Sequence, residues 1–171
     1  VIDMLNLVPS FENHFRSYGE FSLAVQEYVN YNIQDWMETE EFKVLMSYVE
    51  PYTFKDKFNM PKYIINAGSD EFFSTDSWRF YYEELPENKL IRYVPNANHS
   101  LSGEYLTRDL ISFFYRIVNN IDLPILDWDL VDGNLDVYLD YDGEYSVSIW
   151  KAFNQDGRDF RLWQEGELWT K

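Results

Sequence analysis

Two short apolar runs constrain this chain more than anything else in it: Lys62–Ala67 (KYIINA), closed by Gly68-Ser69-Asp70, and Lys89–Val94 (KLIRYV), closed by Pro95. Each has the length of a strand and reads as buried in a sheet. Between them, Ser74 or Thr75 can cap a helix that runs to Leu85. It would turn Trp78, Tyr81 or Tyr82 and Leu85 inward, with Pro86 closing it. A loop over 95–102 then leads into an amphipathic helix, Glu104–Val118, with Leu106, Leu110, Phe113, Phe114 and Ile117 on one side. Strand, helix, strand, helix within about sixty residues predicts βαβ crossovers and a parallel sheet.

The flanking segments are less strictly patterned. Val1–Leu7 has the look of a buried strand, and a chain that opens inside a strand reads as a piece or a processed product of a longer protein. Pro9 to Glu20 reads as a polar connection. Phe21, Val25, Tyr28, Val29 and Ile33 recur at helical spacing, and a second helix spans about Thr39 to Val49, with Glu40 and Glu41 suited to its positive N-terminus. At Ile121 the texture changes. From Leu126 onward apolar and polar residues alternate, and Asp132-Gly133 and Asp142-Gly143 sit where hairpin turns need positive φ. Leu135–Tyr141 followed by Glu144–Trp150 carries the clearest hairpin pattern. The expected division is an α/β part over 1–121 and an antiparallel β appendage over 122–171, itself incomplete.

Thirty acidic residues against fourteen basic ones give a net charge of −16 over 171 residues. Such a field repels phosphate backbones and anionic head groups, which argues against nucleic acid or a membrane surface as partner. Half of that charge falls within 122–171, which holds twelve acids and four bases. No apolar run approaches the roughly 18–20 residues needed to cross a bilayer. With no cysteine in the chain there are no disulfides, thiolate nucleophiles or zinc–sulfur sites, and the sequence implies neither a metal nor a cofactor.

Only His14 and His99 can serve as imidazole bases. His99 lies just beyond the C-terminal end of the second predicted strand, and Asp70 stands in the corresponding place after the first. Open α/β sheets carry their chemistry on that edge. Adjacent strands lie about 5 Å apart, so loops leaving the same edge can bring a carboxylate and an imidazole into hydrogen-bonding range. We therefore expect a His99 ring nitrogen within about 3.5 Å of an Asp70 oxygen, the acid orienting the ring and stabilising its protonated form. His14 has no such placement and is expected to be structural or exposed.

Other features admit two readings each. Phe72 and Phe73 can line a substrate pocket or pack against a helix, with one of the pair facing inward. The Asp-Gly pairs suit hairpin turns better than calcium loops, because Trp128 or Tyr138 falls where a first Asp ligand belongs. Arg158-Asp159-Phe160-Arg161 can pair its charges internally or hold a partner's carboxylate. Six Trp, fourteen Tyr and thirteen Phe suit packing better than a sugar-binding face.

The stretches Met60-Pro-Lys-Tyr-Ile-Ile-Asn-Ala-Gly-Ser-Asp-Glu-Phe-Phe73, Tyr93-Val-Pro-Asn-Ala-Asn-His-Ser-Leu101, and Ser148-Ile-Trp-Lys-Ala152 with Arg158-Asp-Phe-Arg-Leu162 resemble the PhoPQ-activated pathogenicity-related protein family. The resemblance implies an α/β-hydrolase fold, of which this chain would be the C-terminal half of the parallel sheet with its flanking helices. Val1–Leu7 would be the strand that follows the nucleophile-bearing unit. It implies Asp70 as triad acid and His99 as triad base, in a secreted, extracellular or periplasmic peptidase or esterase. The third member, a serine on a strand-to-helix elbow, has no counterpart: none of the seven glycines begins a G-x-S-x-G. In hydrolases of this type the serine precedes the acid and the histidine, so it would lie upstream of Val1, together with the oxyanion-hole amides. On this reading the chain alone is inactive, and its first partner is the rest of its own domain. The alternative is a non-catalytic secreted signalling or binding protein, with a protein partner, on the same fold.

Overall fold

A computed structural model describes residues 6–101 and 106–171. It is a mixed α/β structure with one two-stranded parallel sheet and one two-stranded antiparallel sheet. The elements that position the site are α1 (Leu7–Tyr18), β1 (Lys62–Ala67) and β2 (Lys89–Val94). Between α1 and β1 run α2 (Gln26–Asn30), α3 (Ile33–Trp36) and α4 (Glu40–Val49). After β2 come α5 (Leu106–Val118), β3 (Ile125–Val131), β4 (Asn134–Asp140) and a last turn, α6 (Leu162–Glu165).

The two strands pair in parallel as expected, in register from Lys62 opposite Lys89 to Ala67 opposite Val94. The connection between them is not the helix that the spacing predicts. Only a 3₁₀ turn, Ser77–Phe80, forms, followed by irregular turns to Leu85. The two groups expected to cap a helix there are engaged elsewhere, since the Ser74 hydroxyl accepts the Asn13 side-chain amide at 2.7 Å and the Thr75 hydroxyl donates to the Gly68 carbonyl at 3.1 Å. Without a cap the first-turn N–H groups stay unsatisfied, and the aromatic run Trp78, Phe80, Tyr81, Tyr82 is a poor helix former. Those rings build the core instead. Tyr81, Tyr82 and Leu85 are buried, with Ile64 of β1, Ile91 of β2, Trp78 and Trp128 packed around them.

Two further expectations are corrected, and a third falls mostly on residues that are not described. Val1–Leu5 of the expected opening strand lie outside the described residues, and Leu7 begins a helix. Pro9 to Glu20 is not a polar connection, because α1 occupies most of it and ends on Gly19 at φ 72°, whose N–H returns to the Phe15 carbonyl at 2.8 Å. Its buried face is Ser10, Phe11, Asn13 and His14, and three polar residues among four conceal a helical stripe from any hydrophobicity pattern. The single helix expected over 21–33 is broken into a 3₁₀ turn (Leu23–Val25), α2 and α3, with Asn32 left-handed at φ 52° between the last two. The helix behind Thr39 forms as expected, the threonine hydroxyl accepting the Phe42 N–H at 3.2 Å. The amphipathic helix near the end of the α/β part is α5; residues 104 and 105 of its expected start lie outside the described residues.

Of the two expected hairpins one forms. Asp132 and Gly133 take φ 49° and 80°, and β3 pairs antiparallel with β4 from Ile125 opposite Asp140 to Val131 opposite Asn134. At Asp142-Gly143 the Tyr141 ring folds tightly over the glycine, where a β-carbon would collide with it. Neither residue takes a positive φ. Residues 144–150 consequently form no strand, and a lone antiparallel bridge, Lys151 with Thr170, ties the chain's end together.

Candidate active site

The site is built where β1 and β2 release their loops on the same edge. The loops are joined to each other by the backbone: the Gly68 N–H donates to the Val94 carbonyl at 2.8 Å and the Ser69 N–H to the Ala97 carbonyl at 3.0 Å. This pairing sets Asp70 opposite His99. His99 Nδ1 lies 3.1 Å from each Asp70 carboxylate oxygen, so the ring N–H is shared by a bifurcated, charge-assisted hydrogen bond. The expected proximity is present.

Each member is held by its surroundings. Asp70 is 3% exposed, and its Oδ1 also accepts the N–H groups of Phe72 and Phe73 at 2.7 and 3.0 Å, the local turn bonding that Asp favours. With these donors fixing one oxygen, the carboxylate cannot rotate without losing three bonds. Opposite it, the His99 backbone N–H donates to Glu71 Oε2 at 3.2 Å. The ring stacks on Phe72 and meets the edge of Phe73, both with centroids at 5.0 Å. The imidazole retains 39% side-chain exposure. A buried acid behind a partly open base is the polarity that proton transfer to an outside group requires.

Phe72 and Phe73 do not divide into one inward and one outward ring, as expected from their adjacency; both are half-buried and both pack on His99. They also border a crevice of about 10 Å³, shared with Leu7, Phe11, His14, Val25 and Tyr28, which has room for about one water.

A second layer comes from residues with no telling spacing in the sequence. Tyr18 donates to the Asp70 carbonyl at 2.8 Å and Ser22 to the Glu71 carbonyl at 2.5 Å. His14 is structural, as expected: it is 2% exposed, its Nδ1 lies 3.1 Å from the Phe72 carbonyl, and its Nε2 accepts the Ser22 N–H at 3.1 Å. That pair of bonds requires the neutral ring with its proton on Nδ1. Burial pushes the pKa of His14 down to about 4, against the raising effect of the Phe72 carbonyl. Burial and the nearby Asp70 charge raise the pKa of the Tyr18 phenol, which keeps it a donor. Arg158-Asp159-Phe160-Arg161 pairs its charges within the chain. Arg161, 2% exposed, meets Asp159 at 2.6 Å and Glu20 at 3.2 Å, and Arg158 reaches Asp76 at 2.9 Å.

Among the described residues no cluster of His, Asp or Glu could hold a metal ion, and no helix is long and apolar enough to cross a membrane. Comparison with known proteins adds an ancestry to this geometry. Autocrine proliferation repressor protein A of Dictyostelium discoideum is 31% identical over 177 residues, an alignment that covers 95% of this chain and 36% of that protein. The chain thus spans little more than a third of that relative's length. No solved structure matches. The model of the PhoPQ-activated pathogenicity-related proteins matches residues 1–161, which include both strands, Asp70 and His99, and the chain belongs to that family.

Proposed function

We propose that this chain supplies the acid and the base of a serine-hydrolase triad within a longer protein. The observation that carries the reading is the Asp70–His99 pair, with Nδ1 at 3.1 Å from both carboxylate oxygens on the edge where parallel strands end. On this reading the β1–β2 pair belongs to the C-terminal half of an α/β-hydrolase sheet, residues 1–121 complete that domain, and 122–171 form a β appendage on it. The serine and the oxyanion-hole amides come from upstream of Val1. The serine attacks an acyl carbonyl while the far nitrogen of His99 takes its proton, then returns it to the leaving group. Asp70 holds the tautomer and stabilises the imidazolium. Phe72 and Phe73 would flank the bound substrate, and family resemblance favours a secreted peptidase or esterase.

The name of the Dictyostelium relative, a repressor protein, favours a second reading in which the fold binds or signals without catalysis. A fluorophosphonate probe applied to the full-length protein separates the two. We expect serine labelling that His99→Ala abolishes and Asp70→Asn slows by roughly 10³–10⁴-fold. A folded full-length protein that never labels overturns the hydrolase reading in favour of the second.

A further inference from the structure

The C-terminal segment, far from the site in sequence, reaches back to both site loops. The Trp169 indole N–H donates to the Gly68 carbonyl at 2.8 Å, two residues before Asp70. The Trp169 backbone N–H donates to Asn96 Oδ1 at 2.9 Å, and the Trp169 carbonyl accepts from Asn96 Nδ2 at 2.9 Å, three residues before His99. Asn96 is left-handed at φ 53°, and its side-chain amide stands in for a strand's peptide group, bonding one residue through both donor and acceptor. Gly68 makes the approach possible, since a β-carbon there would lie 3.2 Å from the indole nitrogen, 3.1 Å from the Val94 carbonyl oxygen and 3.3 Å from Pro95. Leu162 adds a further bond, from its N–H to the Ser69 carbonyl at 3.1 Å. The tryptophan is itself held, by Phe160 against its ring and by the Lys151 bridge to its neighbour Thr170.

We infer that Trp169 and Asn96 form a positioning clamp that fixes the separation of the Asp70 and His99 loops and so keeps the acid–imidazole hydrogen bond closed. The clamp deepens the reading of Asp70 and His99 as acid and base and rests on it for its catalytic consequence, but the geometry it controls can be read without turnover. Neither residue touches the reacting groups; both act through the loops. A strand end alone leaves its loop free to move, and one tryptophan, its indole bonded to one loop and its backbone paired with the other, removes that freedom for both.

The test is proton NMR of the full-length protein with nitrogen-15 histidine, following the downfield His99 Nδ1–H resonance, assigned by its loss in His99→Ala. Trp169→Phe keeps a ring and removes the indole donor. Asn96→Gly removes both side-chain bonds yet suits φ 53°, so it tests the clamp even where the tryptophan variant folds poorly. In either folded variant we expect exchange of the His99 Nδ1 proton with water to quicken by at least roughly fivefold to tenfold, the factor for losing a single hydrogen bond. The midpoint of the pH profile of probe labelling should shift as well. Folded variants with the wild-type resonance, exchange rate and pH midpoint overturn the clamp while leaving the hydrolase reading intact. Variants that disturb the resonance in a protein that never labels overturn the hydrolase reading while keeping the clamp. A wild-type protein without the resonance overturns both.

Discussion

The loops after β1 and β2 and the β3–β4 hairpin are both short excursions from a pair of strands, yet the structure treats them oppositely. The site loops are bonded from four directions: by each other, by Tyr18 and Ser22 near the N-terminus, by Leu162, and by Trp169 at the chain's end. Asp70 and Ser69 are almost wholly buried there. One face of the hairpin is wholly apolar, Leu126, Trp128, Leu130, Leu135, Val137 and Leu139, and the other mixes Asp127, Asp129, Asp136 and Asp140 with Ile125, Val131 and Tyr138. Leu130 remains 75% exposed and Leu135 58%; Trp128 anchors the hairpin, its ring 5.6 Å from Tyr82 and 5.8 Å from Trp78. The lesson is that placing two side chains to within an ångström takes long-range hydrogen bonds, whereas holding a hairpin takes local pairing and one aromatic anchor.

The comparison breaks most severely at Arg161. Its guanidinium bonds Asp159 and Glu20, and it lies over the rings of Tyr18 and Trp163 at 4.5 and 5.0 Å, so it ties the C-terminal segment to the helix that supports Asp70. Arg161→Ala leaves the largely buried Asp159 without its counter-charge, and we expect a loss of about 3–5 kcal/mol in urea unfolding. Arg158→Ala is the contrast. Its side chain is 63% exposed, and removing its bridge to Asp76 should change stability by less than about 1 kcal/mol. Equal effects would mean that burial does not separate these two arginines.

How much of this was legible in the sequence follows from the range of each interaction. Lys62–Ala67, Lys89–Val94, the Asp132-Gly133 hairpin and the Thr39-capped helix are local patterns, and each forms. The closeness of Asp70 and His99 was legible because it needs only two adjacent strands and their common edge. Tyr18, Ser22, Asn96 and Trp169 were not, because each acts across a separation in sequence that no period marks; of Arg161 the pairing within 158–161 was legible and the reach to Glu20 was not. The failures have the same origin: α1 hides behind buried polar residues that answer to distant partners, and the helix expected after Ser74 loses its caps to Asn13 and the Gly68 carbonyl. At Asp142-Gly143 the local signal was present and a ring contact from Tyr141 overrode it.

The site side also predicts an acid-sensitive stability. His14 is neutral in the fold, accepts the Ser22 N–H, and faces Arg161, Asp70 and Asp159. A proton on Nε2 would set two donors against each other. With a folded pKa of about 4 and an unfolded value of 6.5, the unfolded chain binds more protons between those limits. The contribution of His14 is therefore complete above pH 6.5, falls as the pH drops toward 4, and amounts to about 3 kcal/mol across that window. Unfolding free energies of wild type and His14→Gln, measured at intervals from pH 7 to pH 4, should converge on the acid side. Parallel curves would show that protonation of His14 is not what acid acts on.

The smallest effect expected lies on the hairpin. Leu130 stands two residues before Asp132 of the turn, opposite Leu135, and its side chain stands in solvent. Leu130→Ser removes little buried apolar surface and leaves the turn and the backbone pairing intact, so the change in unfolding free energy should stay within about 0.5 kcal/mol. A cost near 2 kcal/mol would mean that this apolar face is covered in the full-length protein. The hairpin would then belong with the site loops as a segment fixed by distant parts of the chain, and the contrast between the two regions would fail at its weaker end.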